Sequence, residues 1–358
     1  MSLPVGKNIF RLRGCAFGTG QGGEKMSAIW TLLAAVISFA ITALLGKWMI
    51  PFLQKLHFGQ TIREEGPQWH MKKQGTPTMG GLMFIIGIVA AVVICVPLYY
   101  ANAFDETLLM KVRIFGGLGM GLAFGLIGFI DDYIKVVKKR NLGLTVIQKL
   151  VLQFLAAAAY LAGIWLAGGK SSTLIPFVGE VDFGWGYWIL AAILIVGIVN
   201  AVNFTDGIDG LNASVTFFVC IFVMMIAGVT SVFSVSIMAV AVAAGCMGFL
   251  VWNFNPAKVF MGDTGSLFLG GMVCALAFGV NMPILLLPLG IIYIAEILSV
   301  VLQVSYFKLT HGKRLFKMSP IHHHFEMCGW SEMKICFVFS LVAAVGGAIS
   351  LALVFFGV

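Results

Sequence analysis

Asn200-Ala201-Val202-Asn203-Phe204-Thr205-Asp206-Gly207-Ile208-Asp209-Gly210-Leu211 is a polar island between two long apolar runs, 185–203 and 211–229. A run of about 20 apolar residues is the length a helix needs to cross a hydrocarbon core ~30 Å thick, twice that of a barrel strand. The chain repeats the pattern: 60% of its 358 residues are hydrophobic and only 11% charged, against about 25% charged in a soluble domain. This composition specifies an all-α polytopic membrane protein. Within the island, Asp206 and Asp209 are spaced so that one helical turn puts both on one face. Gly207 and Gly210 free the backbone for a tight turn. No Lys or Arg lies in the stretch. Two carboxylates sharing a space repel, and a divalent cation between them relieves the repulsion. The plainer alternative is a solvated helix cap.

The seven cysteines include no C-x-x-C pair, and most lie inside apolar runs. They read as buried thiols, with neither a disulfide framework nor a zinc site. The net charge of +8 is no nucleic-acid signal, because the basic residues gather in loops between apolar runs, as membrane topology requires.

Ten spans are expected, at roughly 27–53, 79–100, 113–131, 146–167, 185–203, 211–229, 232–253, 264–281, 283–309 and 333–356. Residues 1–25 are polar and basic without periodicity, so a disordered, dispensable leader is expected before a single ten-helix domain over 26–358. Loops after odd-numbered spans carry fourteen Lys and Arg, including Lys73, Lys138 and Lys313, against three after even-numbered spans. The positive-inside rule then makes the odd loops cytoplasmic and both termini periplasmic, outweighing the leader's four basic residues. Ser171–Gly184 reads as a small external hairpin. The ninth span, about 27 residues or ~40 Å of helix, is too long for the bilayer and must tilt, protrude or break, with Pro283 and Pro288 near its outer end able to assist. Glu296 lies within it, and an intramembrane carboxylate is either a functional group or a paired structural one.

The remaining acids fall in two further cytoplasmic loops. Asp131 and Asp132 end the third span, where a helix C-terminus disfavours anions, so something cationic must compensate: Lys135 or a metal. Asp263 is flanked by Gly262 and Gly265, with Thr264 and Ser266 able to cap the next helix, and Asp263 itself is either a magnesium ligand or that N-cap. Five of the seven Asp residues thus lie in three loops on one membrane face. Oxygen donors without His–Cys pairs favour magnesium or manganese over zinc. Lys72, Lys73, Lys135 and Lys149 on that face suit phosphates. Acids plus lysines at a membrane surface point to phosphoryl transfer. The run Pro320-Ile321-His322-His323-His324-Phe325-Glu326 is a poor metal site, since consecutive side chains diverge. It suits contact with an anionic substrate, or proton transfer.

Asp131-Asp132, Asn203–Gly210 and Phe260–Ser266 together resemble the signatures of the polyprenyl-phosphate N-acetylhexosamine-1-phosphate transferases. Pro320–Glu326 and Lys73–Gly81 are similar to one branch, the phospho-N-acetylmuramoyl-pentapeptide transferases of peptidoglycan synthesis. The resemblance covers residue 27 onward. It implies ten transmembrane helices, a homodimer, dependence on Mg2+ and a bent ninth helix beside a lipid groove. The implied substrates are UDP-N-acetylmuramoyl-pentapeptide and undecaprenyl phosphate, giving lipid I and UMP at the cytoplasmic face of the bacterial inner membrane. By motif match it assigns Asp131 and Asp132 to the lipid phosphate, Asp263 to the metal, and His322 to catalysis. Lys73 (or its neighbour Lys72), Asn203, Asp206, Asn253 and Phe260 fall where the family holds the sugar nucleotide. Thr78, Lys135, Lys149, Asp209, Gln303 and His323 complete the implied substrate-binding set. A sister transferase using UDP-N-acetylglucosamine would lack the histidine block. A secondary transporter would place polar groups near the midplane, often in repeated halves, whereas here they crowd one face.

Overall fold

The computed structural model describes residues 21–56, 73, 75–102, 106–137 and 143–358. Residues 1–20 of the expected leader, Lys72, and the basic residues Arg63 and Lys138–Arg140 lie outside the described residues. Among those described, ten helices are long and apolar enough to cross a membrane, as expected. They are α1 (Gln21–Lys55), α2 (Gly81–Asn102), α3, α4 (Val146–Leu166), α5 (Gly186–Thr205), α6 (Leu211–Val229), α7 (Phe233–Asn253), α8 (Gly262–Gly279), α9 (Ile291–Leu309) and, after a short α10 (Ile321–Glu326), α11 (Glu332–Gly357). α3 is composite: Leu108–Lys111, a π-helical turn Val112–Gly116, then Gly117–Val137. The helical backbone of α1 starts at Gln21, within the expected leader.

α8 is the hub. Every residue from Thr264 to Gly279 is buried, enclosed chiefly by α3, α5 and α2. Small residues make this possible, since helices in lipid associate through close backbone approach. A Cβ at Gly128 of α3 would stand 2.1 Å from the Asp263 carbonyl oxygen, so only glycine lets the two helices meet there. α8 has no side-chain cap of its own, and Met261 is its N-cap residue. The expected caps Asp263, Thr264 and Ser266 lie inside the helix instead, at its second, third and fifth residues. Asp132 of α3 caps the helix from outside, accepting the N–H groups of Asp263 (3.3 Å) and Thr264 (2.9 Å) and the Thr264 hydroxyl (2.8 Å). A carboxylate at a helix N-terminus meets free N–H groups and the positive end of the dipole.

The ninth span breaks rather than merely bending. A 3-10 turn, Pro283–Leu285, and a helical turn, Leu286–Leu289, precede Gly290, after which α9 runs on. The hairpin forms as expected, from antiparallel β1 (Ser172–Ile175) and β2 (Gly179–Asp182). It docks on the C-terminal end of α11, where Phe177 N–H donates to Gly357 O (2.8 Å), and on the loop after α8, where Leu174 N–H donates to Asn281 O (3.1 Å). The acidic loops gather at the other end, beside Glu332 at the start of α11. Asp182 at the hairpin has its carboxyl held below the usual range by bonds from the Ser171 hydroxyl and the Gly184 N–H.

Candidate active site

α3 ends in Asp131 and Asp132, and α8 begins with Asp263. The close approach at Gly128 carries all three to one place, their oxygens within 4.8 Å of one another. The sequence reading put the α3 pair and Asp263 at separate stations; the structure makes them one centre. Three carboxylates so close need cations, and two lysines supply them. Lys135 Nζ lies 2.6 Å from Asp131, 3.0 Å from Asp263 and 3.8 Å from Asp132. Lys149, at the start of α4, reaches Asp263 at 2.9 Å. Asn203 Nδ2 from α5 donates to Asp263 Oδ1 (2.9 Å) and to the Ser266 hydroxyl (2.7 Å). Asp131 Oδ1 accepts the Leu144 N–H at 2.7 Å, which pins the turn leading into α4.

The centre is closed on one side and open on the other. The Asp131 and Asp132 side chains are 4% exposed, whereas Asp263 keeps 20% and Lys135 34%. A ligand therefore meets Asp263 and the two lysines first. Asp206 stands at the turn after α5, near enough to feel the centre's charge. Desolvation raises its pKa well above the usual carboxylate range, and the negative fields of Asp263, Asp132 and Asp209 raise it further. Such a carboxyl holds its proton more readily than its neighbours and offers an O–H donor where they offer only acceptors.

Asp206 and Asp209 do not share a helical face. α5 ends at Thr205, and 206–210 is a turn. Asp209 is buried, and it accepts Lys73 Nζ (2.7 Å), Asn255 Nδ2 (3.1 Å) and the Ala257 N–H (2.9 Å). The stretch has no basic residue of its own, and its cation comes from Lys73 instead. Lys73 also pairs with Glu332 at 2.6 Å, and Glu332 takes the Asp209 N–H at 3.1 Å.

The other expected residues form a frame around this centre. Asn253 is buried and joins the Gly210 N–H (3.1 Å) to Val259 O (2.9 Å). Phe260 is half-buried, and its backbone pairs with Pro77 O and the Gly80 N–H, both at 2.8 Å, which lays the Thr78 segment against the loop before α8. Gln303 Oε1 accepts the N–H groups of Leu315 (3.0 Å) and Phe316 (2.8 Å), fixing the loop after α9. His322 is fully buried against Glu296 (3.0 Å), and His323 pairs with Glu326 at 2.5 Å. Glu332, Thr264 and Ser266 were absent from the expected set. Thr264 and Ser266 stand in the Asp263 motif and were read only as caps. Glu332 opens the last helix and carries no motif signal.

The donor set fits a hard divalent cation: carboxylate oxygens alone, with no His or Cys in the group. The Lys135 ammonium already marks the point among them where positive charge is stabilised. Asp131, Asp132 and Asp263 are the residues that would hold the metal.

Residues 114–281 match the family described as Glycosyl transferase family 4. Residues 73–85 match the phospho-N-acetylmuramoyl-pentapeptide-transferase signature 1. A phospho-N-acetylmuramoyl-pentapeptide-transferase of Halalkalibacterium halodurans is 47% identical, over 86% of this chain and 92% of its own length. One of Heliobacterium modesticaldum is 47% identical over 88% and 96% respectively, and one of Clostridium perfringens 46% over 88% and 95%. Identity of 46–47% over 86–88% of the chain, together with the signature at residues 73–85, shows that the chain belongs to the phospho-N-acetylmuramoyl-pentapeptide-transferase family.

Proposed function

We propose that the chain moves the phospho-N-acetylmuramoyl-pentapeptide unit from UDP to undecaprenyl phosphate, releasing UMP and forming lipid I for peptidoglycan synthesis. The observation that carries this reading is the joining of Asp131, Asp132 and Asp263 with Lys135 and Lys149 at one end of a membrane bundle. A phosphate oxygen of the lipid forms a bond to the sugar-bearing phosphorus, and the bond from that phosphorus to the oxygen of the UMP phosphate breaks.

Each residue has a distinct part. Asp131, held through Leu144 and Lys135, orients the attacking phosphate or takes its proton. Lys135 and Lys149, on the open side, neutralise phosphate charge as it shifts toward the leaving group. Asn203 fixes the Asp263 carboxylate. Asp206 offers its proton to an oxygen of the nucleotide or sugar. Mg2+, when bound by the three carboxylates, supplies further charge neutralisation on the pyrophosphate. A homodimer in the bacterial cytoplasmic membrane belongs to the same proposal and rests on family membership.

Purified protein given UDP-N-acetylmuramoyl-pentapeptide and undecaprenyl phosphate should release UMP, and UDP-N-acetylglucosamine should give little. Equal use of both sugars, or release without the lipid phosphate, would return the chain to the sister transferases or to hydrolysis. On the positive-inside reading of the loops, the site faces the cytoplasm. A single cysteine at position 313 should then resist an impermeant thiol reagent in intact cells, and one at position 180 should label. The reverse pattern would invert the topology.

A further inference from the structure

The acidic centre does not account for the buried pair Glu296 and His322. Glu296 lies on α9 and His322 on α10, and both side chains are 0% exposed. Glu296 Oε1 is 3.0 Å from His322 Nδ1, and Oε2 accepts the His322 backbone N–H at 3.5 Å. Both carboxylate oxygens are thus spent on one residue. If the Glu296 oxygen is the acceptor of this contact, Nδ1 carries the hydrogen and Nε2 is the outward nitrogen. Nε2 is buried and has no hydrogen-bond partner. It lies against the turn that carries Asp206: a Cβ added at Gly207 would stand 2.0 Å from it.

A tie between α9 and α10 would account for Glu296 alone. It leaves the unmet Nε2 unexplained, because buried polar atoms normally find partners. Nor does it account for the glycine at 207, where a side chain would push the ring away. Resting on the function proposed above, we infer that Glu296 is a positioning residue, which fixes the ring and tautomer of His322 so that Nε2 faces the Asp206–Gly207 turn of the substrate site. Glu296 touches no substrate in this arrangement and acts only through His322.

Glu296→Gln keeps the size and removes the charge that holds the tautomer. Its kcat should fall about 30-fold, by analogy with the roughly 10–100-fold cost of losing the partner that orients a metal-ligating histidine, while KM for the UDP substrate stays within about twofold. His322→Ala should cost more, and the double variant should be no slower than His322→Ala alone, since the two act as one unit. In 15N-histidine-labelled protein, with the His322→Ala spectrum identifying the signal, the wild type should show a protonated Nδ1 at His322 and Glu296→Gln should lose that signature. Should Glu296→Gln fail to fold, Gly207→Ala is the second probe. It should slow turnover in the wild-type background and add nothing to His322→Ala. Full activity in Glu296→Gln, multiplicative losses in the double variant, or an unchanged 15N pattern would each overturn the inference. If the wild type releases no UMP, the proposed function fails, and the 15N signature still decides whether Glu296 sets the tautomer.

Discussion

Asp263→Ala is expected to lower turnover on the order of 10³-fold, and excess Mg2+ is expected not to restore it. The size follows from losing a preorganised charge where charge redistributes in the reaction, which typically costs 10²–10³-fold. Loss of a ligand for the metal acts at the same point. Asp263 is also the partner of Lys149 (2.9 Å), one of three carboxylates around Lys135, and the acceptor of Asn203 (2.9 Å). Removing it therefore frees Lys149 and weakens the order of both lysines. Asp263→Asn separates these effects. The amide keeps an acceptor for Asn203 and the volume of the site, but not the charge that holds a hard cation. It should fail in turnover while the protein stays folded and keeps its nucleotide affinity within a few-fold. Titrating Mg2+ against each purified variant, with nucleotide binding measured in parallel, provides the check. Wild-type magnesium dependence in Asp263→Ala would remove Asp263 from the metal site. Asp131→Asn should lose turnover yet still bind the nucleotide, since its part lies with the attacking phosphate.

The sequence carried the bundle well because lipid leaves few choices. Runs of about 20 apolar residues have to be helices, and their polar interruptions have to be loops. In the ninth span, length and the nearby Pro283 and Pro288 marked an irregularity (a tilt, a protrusion or a break) without choosing among them, and the structure has the break. What stayed hidden is what depends on contact between distant residues. Asp132 and Thr264 are separated by 132 positions, so nothing local marks Asp132 as the cap of α8. The three-residue spacing of Asp206 and Asp209 suggested a shared helical face, but α5 stops at Thr205 and the turn sends Asp209 to Lys73. Lys73 was read as a phosphate ligand from its charge. Its two carboxylate partners, one at the start of the last helix, follow only from packing. Glu296 was legible as an intramembrane acid of undecided role, and His322 as its partner was not.

Lys135→Met should remove the cation that, among the described residues, touches all three carboxylates, and two consequences separate. Turnover should fall between about 10² and 10³-fold, as for the loss of one preorganised charge beside a transferring phosphate. Stability should fall by about 2 kcal/mol without metal, between the ~1 kcal/mol of an exposed pair and the 3–5 kcal/mol of breaking a buried one. Lys135 is intermediate, its side chain being 34% exposed against 4% for Asp131 and Asp132. Three like charges with oxygens within 4.8 Å then face one another, and Lys149 reaches only Asp263 among them. A divalent cation should relieve that repulsion more in the variant than in the wild type, where Lys135 already occupies the space. Added Mg2+ should therefore raise the melting temperature of Lys135→Met more than that of the wild type, by mass action on the folded state, while activity stays low. Asp263→Asn in the same background should shrink the magnesium-dependent shift. A magnesium response equal to that of the wild type would mean that the metal and Lys135 do not compete for one position, and that the three carboxylates are not the metal site. A variant with both wild-type turnover and wild-type stability would assign Lys135 to the surface rather than to the centre.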